Sequence, residues 1–149
     1  MFLPSAKIIV KDANDDKKIL LIKRNVEGNI SYEPAGGRAE IDHSTLYAES
    51  LEECVKREAQ EELGVSVIIE HYVGSYTYFW PHDTRKCSSY AVFIGKVEHN
   101  IENFTGNGDK DCWPVEPAWV TYDDIVDNKI IINPTHKGLK ELILKSLEL

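Results

Sequence analysis

At 149 residues the chain has the length of one ordinary domain, with enough residues for one sizeable core. Its composition, 42% apolar and 28% charged, is that of a soluble globular protein, and no apolar run reaches the roughly 18 residues that a membrane helix needs. The formal net charge of −8 argues against a grip on long nucleic acid, which needs clustered Lys and Arg; a small phosphorylated ligand stays possible if divalent cations neutralise both sides.

The N-terminal run Met1 to Lys7 has no basic leader followed by a long apolar stretch. Cys54, Cys87 and Cys112 lack metal-site spacing, so the expectation is a cytoplasmic protein with reduced thiols. Ala6 to Val10 and Lys18 to Ile22 are β-rich runs, and Asn14-Asp15-Asp16 between them predicts a hairpin turn. Tyr32 to Arg38 contains Pro34, Gly36 and Gly37 and predicts a loop or broken strand. Leu51 to Leu63 is the strongest helix, with Ser50 as N-cap, Glu53 completing a capping box and Gly64 as the terminating glycine. Strands are expected over Val65 to Val73, Ser75 to Trp80 and Ser88 to Val97. Ile101 to Pro117 is expected as a long loop, Ala118 to Thr121 as a short strand and Asp123 to Asp127 as a helical turn. Thr135 to Leu147 closes the chain as a helix with Leu139, Leu142, Ile143 and Leu147 on one face. Strands outnumber helices, which predicts one mixed sheet with helices on its faces and a single domain over residues 1–149.

The central helix carries the chemistry. At about 100° per residue, Leu51, Val55, Glu58, Ala59 and Glu62 fall on one side. Glu52 and Glu53 suit a solvated acidic face; Glu58 and Glu62 do not, because carboxylates on the core-facing line must be paired or ligate a cation. Clustered carboxylates also repel one another. A hard divalent cation with oxygen ligands resolves both difficulties. Arg57 lies four residues before Glu61, so those two pair on the helix surface. Further along, Tyr76, Tyr78 and Trp80 alternate; at least two are expected simply to form a strand face.

The run Arg57-Glu58-Ala59-Gln60-Glu61-Glu62-Leu63-Gly64-Val65, with Glu49 eight residues before its arginine, resembles the Nudix box, G-x5-E-x7-R-E-U-x-E-E-x-G-U with U a bulky aliphatic residue. Ala59 is smaller than the usual aliphatic. Upstream, Pro34-Ala35-Gly36-Gly37-Arg38-Ala39-Glu40 resembles the family's Pro-Gly-Gly-x-x-Glu loop. Eleven residues separate Gly37 from Glu49 where the pattern has five, so six extra residues fall within Glu40 to Ala48. A loop lengthens there at modest entropic cost and leaves the helix register untouched. The strand Ile19 to Arg24, ending in basic residues, and Pro117-Ala118-Trp119-Val120 are similar to outer features of the same family.

The resemblance implies an α/β/α sandwich around a mixed sheet and a pyrophosphohydrolase using magnesium, with manganese as a substitute. It implies Glu58, Glu61 and Glu62 as metal ligands with the Gly36 carbonyl, and Glu58, Glu61 and Arg57 as the catalytic group. Gly37, Glu49 and Gly64 are implied as structural. Candidate substrate contacts are Lys23, Arg24, Arg38, Trp80 and Arg85. A late-loop base is sought among Asp109, Asp111 and Glu116. Pro34-Ala35-Gly36 and Pro81 resemble features of ADP-ribose pyrophosphatases, favouring a nucleoside diphosphate linked to another moiety, of ADP-ribose or nucleotide-sugar type. The alternatives are a nucleoside triphosphate pyrophosphatase and a non-catalytic nucleotide-binding module. The expected partner is a small nucleotide, with neither long nucleic acid nor membrane, in a monomer or homodimer.

Overall fold

A computed structural model describes residues 2–98 and 115–148. In chain order its strands are β1 (Phe2–Lys11), β2 (Lys18–Val26), β3 (Asn29–Glu33), β4 (Ala35–Arg38), β5 (Ile41–Asp42) and β6 (Tyr47–Ala48); helix α1 (Leu51–Leu63) follows. Then come β7 (Val67–Trp80), β8 (Asp83–Val97), β9 (Val115–Thr121), α2 (Tyr122–Val126) and α3 (Leu139–Glu148).

Seven strands form one mixed sheet, in which β1 and β8 are parallel and the other pairings antiparallel. The period-2 alternation of its strands sorts side chains between two cores. Ile8, Val10, Leu20, Ile22 and Phe93 pack against Val55, Ala59 and Leu63 of α1. Ile9, Ile19, Leu21, Val92 and Ile94 pack on the opposite face with Ile125 of α2 and Leu139, Ile143 and Leu147 of α3. Helices on both faces make the expected α/β/α layering. Each fully buried Val, Leu or Ile among them contributes about 1.5–3 kcal/mol.

Local chemistry explains the boundaries of α1. Ser50 is extended, and its Oγ accepts the Glu53 N–H at 3.1 Å. Gly64 ends the helix at φ 70, a left-handed conformation that suits glycine, and its N–H reaches Gln60 O at 3.0 Å. The first hairpin turn is held by Asp12 and Asp15, which accept the Asn14 and Lys17 N–H groups. A reciprocal capping box sits at α2, where Thr121 and Asp124 exchange bonds.

Several boundaries differ from expectation. The two strands predicted over Val65 to Trp80 are one, β7, whose irregularities at Ile69/His71 and Tyr72/Gly74 are register shifts, not ends. β8 starts at Asp83, leaving only Pro81 and His82 as the turn. Val115 to Pro117 belongs to strand β9; Pro117, which has no N–H to donate, is accommodated because β9 pairs on β2 alone. α3 starts four residues late. Asn133 Oδ1 accepts from Thr135 N and Oγ1 at 3.1 and 2.7 Å, and Gly138 at φ 91 breaks helical continuity. The inserted segment is not a loop but the β5–β6 hairpin, with Ile41 opposite Ala48 and Asp42 opposite Tyr47. No helix among the described residues is long and apolar enough to cross a membrane.

Candidate active site

The site is assembled along β4, which is broken from β3 by Pro34 and runs between β1 and α1. Gly36 lies opposite Lys7, Gly37 opposite Ala6 and Arg38 opposite Ser5. Both glycines are required by close approach. A Cβ on Gly36 would stand 2.1 Å from Ala6 O, and one on Gly37 2.7 Å from Glu58 Oε1. α1 runs alongside in the opposite sense. Glu62 Oε1 accepts the Gly36 N–H at 2.9 Å, Cys54 Sγ reaches Gly37 O, and Arg57 donates to Arg38 O at 3.0 Å.

Glu62 is 4% exposed, and burial, reinforced by Glu58, pushes its pKa up to about 8. Burial also raises that of Glu58, against the pull of Arg57, and the two carboxyl groups hydrogen-bond. Near neutral pH this pair therefore holds a proton. Arg57 is the hub of the neighbouring acids. It bonds Glu49 through Nε at 2.8 Å and through its second terminal nitrogen at 3.0 Å; the first reaches Glu58 at 3.0 Å and Glu61 at 3.2 Å. Glu49 also accepts the Glu40 N–H, so the Arg57–Glu49 pair fastens the inserted hairpin to the helix.

Beyond Glu62 is a buried polar chamber that sequence reasoning missed. Glu33 binds Arg24 and lies 3.7 Å from Lys7 and from His136, with Asn133 donating at 3.3 Å. Burial alone would raise the Glu33 pKa, yet Lys7 and Arg24 hold it at about 2. Burial and then Lys7 hold His136 at about 4, so its imidazole is neutral; Nδ1 meets the Tyr76 hydroxyl at 2.7 Å, and Tyr78 stacks on the ring at 4.1 Å. The one available signal was Lys7 itself, a lone cation in an apolar strand run; Asn133 and His136 gave none.

One open cleft of about 1480 Å³ joins the acids and the chamber. Of the expected residues, Arg24, Gly36, Gly37, Arg38, Arg57, Glu58, Glu61, Glu62 and Trp80 line it. Tyr78 lines it as well as Trp80, whereas Tyr76 is packed in the core. Trp80 donates to Ser88 and lies under both Arg38 and Lys86, each 5.2 Å away. Arg85 departs from expectation: its side chain is 90% exposed and forks onto Asp83, outside the cleft lining. Lys23 pairs with Glu116 at 3.2 Å, and neither lines the cleft. Asp109 and Asp111 lie outside the described residues.

The donor chemistry fits a hard cation. Among the described residues no three acid, thiol or imidazole groups already surround one point, since Glu58 and Glu61 turn to Arg57 and Glu62 to Gly36. Magnesium does not require such a cage; one or two carboxylates plus substrate phosphates and water suffice.

An acid-bearing helix lying over a glycine strand, on a mixed sheet with helices on both faces, defines a class. A family model described as the NUDIX domain matches residues 1–143, and the chain belongs to the Nudix hydrolase family, a family of pyrophosphohydrolases. The fold is similar to a NUDIX hydrolase from Nitrosomonas europaea at TM-score 0.69 and 19% identity, covering 99% of this chain and 89% of that one. It is also similar to the MutT protein from Methanosarcina mazei Go1, at TM-score 0.65 and 16% identity, covering 97% and 92%. No curated protein matches the chain.

Proposed function

We propose that this chain is a magnesium-dependent hydrolase, manganese serving as substitute, that cleaves the diphosphate bond of a nucleoside diphosphate linked to another moiety, of ADP-ribose or nucleotide-sugar type. The observation that carries the proposal is the pair of buried Glu62 and half-buried Glu58 facing Gly36 and Gly37 within the same cleft as Arg24 and Arg38. Glu58, Glu61 and Glu62 would hold the cation, with the Gly36 carbonyl as a further oxygen. When bound, the cation supplies charge neutralisation at the phosphates and lowers the pKa of water. Arg24 and Arg38 orient the phosphates as bidentate donors. Glu58, aimed by Arg57 at 3.0 Å, takes the proton of the attacking water. Glu116 is paired with Lys23 away from the cleft lining, which favours Glu58 for that role. The reading is of a small cytoplasmic enzyme: Cys54 and Cys87 are free and buried, and burial pushes Cys54 up to about 12, an inert thiol.

The test is a magnesium-supplemented screen of ADP-ribose, nucleotide sugars and nucleoside triphosphates. Two phosphomonoester products from ADP-ribose or a nucleotide sugar are expected, with turnover at least about 100-fold lower in Glu58→Gln. Pyrophosphate release from triphosphates alone would favour the triphosphate alternative. Near-wild-type turnover in Glu58→Gln would remove the helix from the chemistry.

A further inference from the structure

The β5–β6 hairpin interrupts the box, and its place in the cleft gives it a role. The order of contacts along β4 and α1 fixes what lies on each side of the acid pair. Lys7, paired with Glu33, lies opposite Gly36, whose N–H Glu62 accepts; Glu58 meets Gly37; Arg57 meets Arg38; Glu49 meets Glu40 at the hairpin base. The polar chamber and the hairpin therefore lie at opposite ends of the acid pair. Glu40, Ile41 and His43 line the cleft at the hairpin end, beside Phe2 and Leu3 of β1.

The hairpin is a built element. Its base closes by the Glu40–Glu49 backbone bond at 2.8 Å and is clasped by Arg57. Its turn is set by Asp42, which accepts the Ser44 N–H at 2.9 Å and Oγ at 2.6 Å, and by Leu46 at φ 58. Among the described residues no hydrogen bond or ion pair engages His43, so its ring nitrogens are available to a ligand. Ile41 and Phe2 stay 48% and 73% exposed, an apolar rim for that ligand to cover. The cleft's volume of about 1480 Å³ exceeds the roughly 300–1,000 Å³ of an ordinary small-molecule pocket, leaving space on both sides of a centred diphosphate.

We infer that the hairpin binds the moiety carried on the far phosphate of the substrate, with His43 and Ile41 as specificity-determining residues. The inference rests on the diphosphate-cleaving reading above. It predicts that substrates with a group on both phosphates are preferred over those with one.

Affinities measured by calorimetry with magnesium test this directly. The probes are non-hydrolysable α,β-methylene analogues of ADP and UDP, each with and without a sugar on the β-phosphate. The wild-type chain is expected to bind one sugar-bearing analogue at least about tenfold tighter than its sugar-free partner. His43→Ala, and a chain with residues 42–47 replaced by two glycines, are expected to bring that ratio below about threefold while leaving affinity for the sugar-free analogue within twofold. A wild-type ratio near one, or a ratio retained in both variants, overturns the role of the hairpin and leaves the diphosphate reading standing. Binding of none of the four analogues overturns both.

Discussion

Replacing Glu62 by Gln separates the stability of the site from its chemistry. In the metal-free protein Glu62 accepts from Gly36 N–H at 2.9 Å and, carrying the proton, hydrogen-bonds Glu58. A glutamine amide reproduces both contacts, accepting through oxygen and donating through nitrogen, at all pH values. The wild-type carboxyl does so only while protonated. Its pKa rises from 4.5 in the unfolded chain to about 8 in the folded one. Raised in the folded state, this group gives stability that is full below 4.5 and is lost as pH climbs through about 8. At about 1.4 kcal/mol per pH unit, the loss between about pH 5.5 and 8 is of the order of 3 kcal/mol. Urea melts in EDTA at those two pH values, on wild type and Glu62→Gln, read it out. The variant's advantage over wild type is expected to grow by about 3 kcal/mol toward pH 8, a difference in which titrating groups away from the Glu58–Glu62 pair cancel. With magnesium and substrate the same variant is expected to lose most of its turnover. An advantage that does not change with pH would refute the shared-proton account of the pair, and retained turnover would refute its place in the site.

Gly37→Ala puts a methyl 2.7 Å from Glu58 Oε1. Because the clash is with a side chain, the fold should survive with a small fall in Tm, while magnesium affinity drops at least about tenfold by calorimetry, about 1.4 kcal/mol. Glu33→Gln leaves Lys7, 3% exposed, without its nearest carboxylate, so urea unfolding should show a loss of about 3–5 kcal/mol at neutral pH. Since Lys7 and Arg24 hold Glu33 at about 2, its contribution is present above 4.5 and fades as pH falls toward 2; the penalty of the variant should shrink over that window.

The part of the site that could be read in the chain is the part made locally. In α1 the Ser50 cap, the Gly64 stop and the 3.6-residue period agree, so the inward line of Glu58 and Glu62 followed from spacing. The inserted hairpin has strands of two residues, too short for a period to register, and Ile41 and Tyr47 look like ordinary exposed apolar residues. The chamber is nonlocal. Glu33 and Asn133 are 100 residues apart, and no window of sequence joins them. Arg85 was expected to reach a phosphate from the segment after the aromatic run, but that segment is already strand and Arg85 turns back to Asp83. With β8 starting at Asp83, successive residues point to opposite faces, and Lys86 rather than Arg85 comes over the Trp80 ring.

The structure also changes what the chain's charge means. A net charge of −8 suggested that a phosphorylated ligand needs cations merely to approach. Charges on the outer surface, however, are screened over about 8–10 Å at physiological ionic strength, so the groups lining the cleft decide. There Lys7, Arg24, Arg38 and Arg57 face Glu33, Glu40, Glu58 and Glu61, and Glu62 is held protonated near neutral pH. That local balance leaves a diphosphate without strong repulsion. The case for a divalent cation therefore does not depend on overall acidity. It depends on one pair, Glu58 and Glu62, pressed together by burial beneath a strand whose glycines make room for them, and sharing a proton where a cation would serve both carboxylates better.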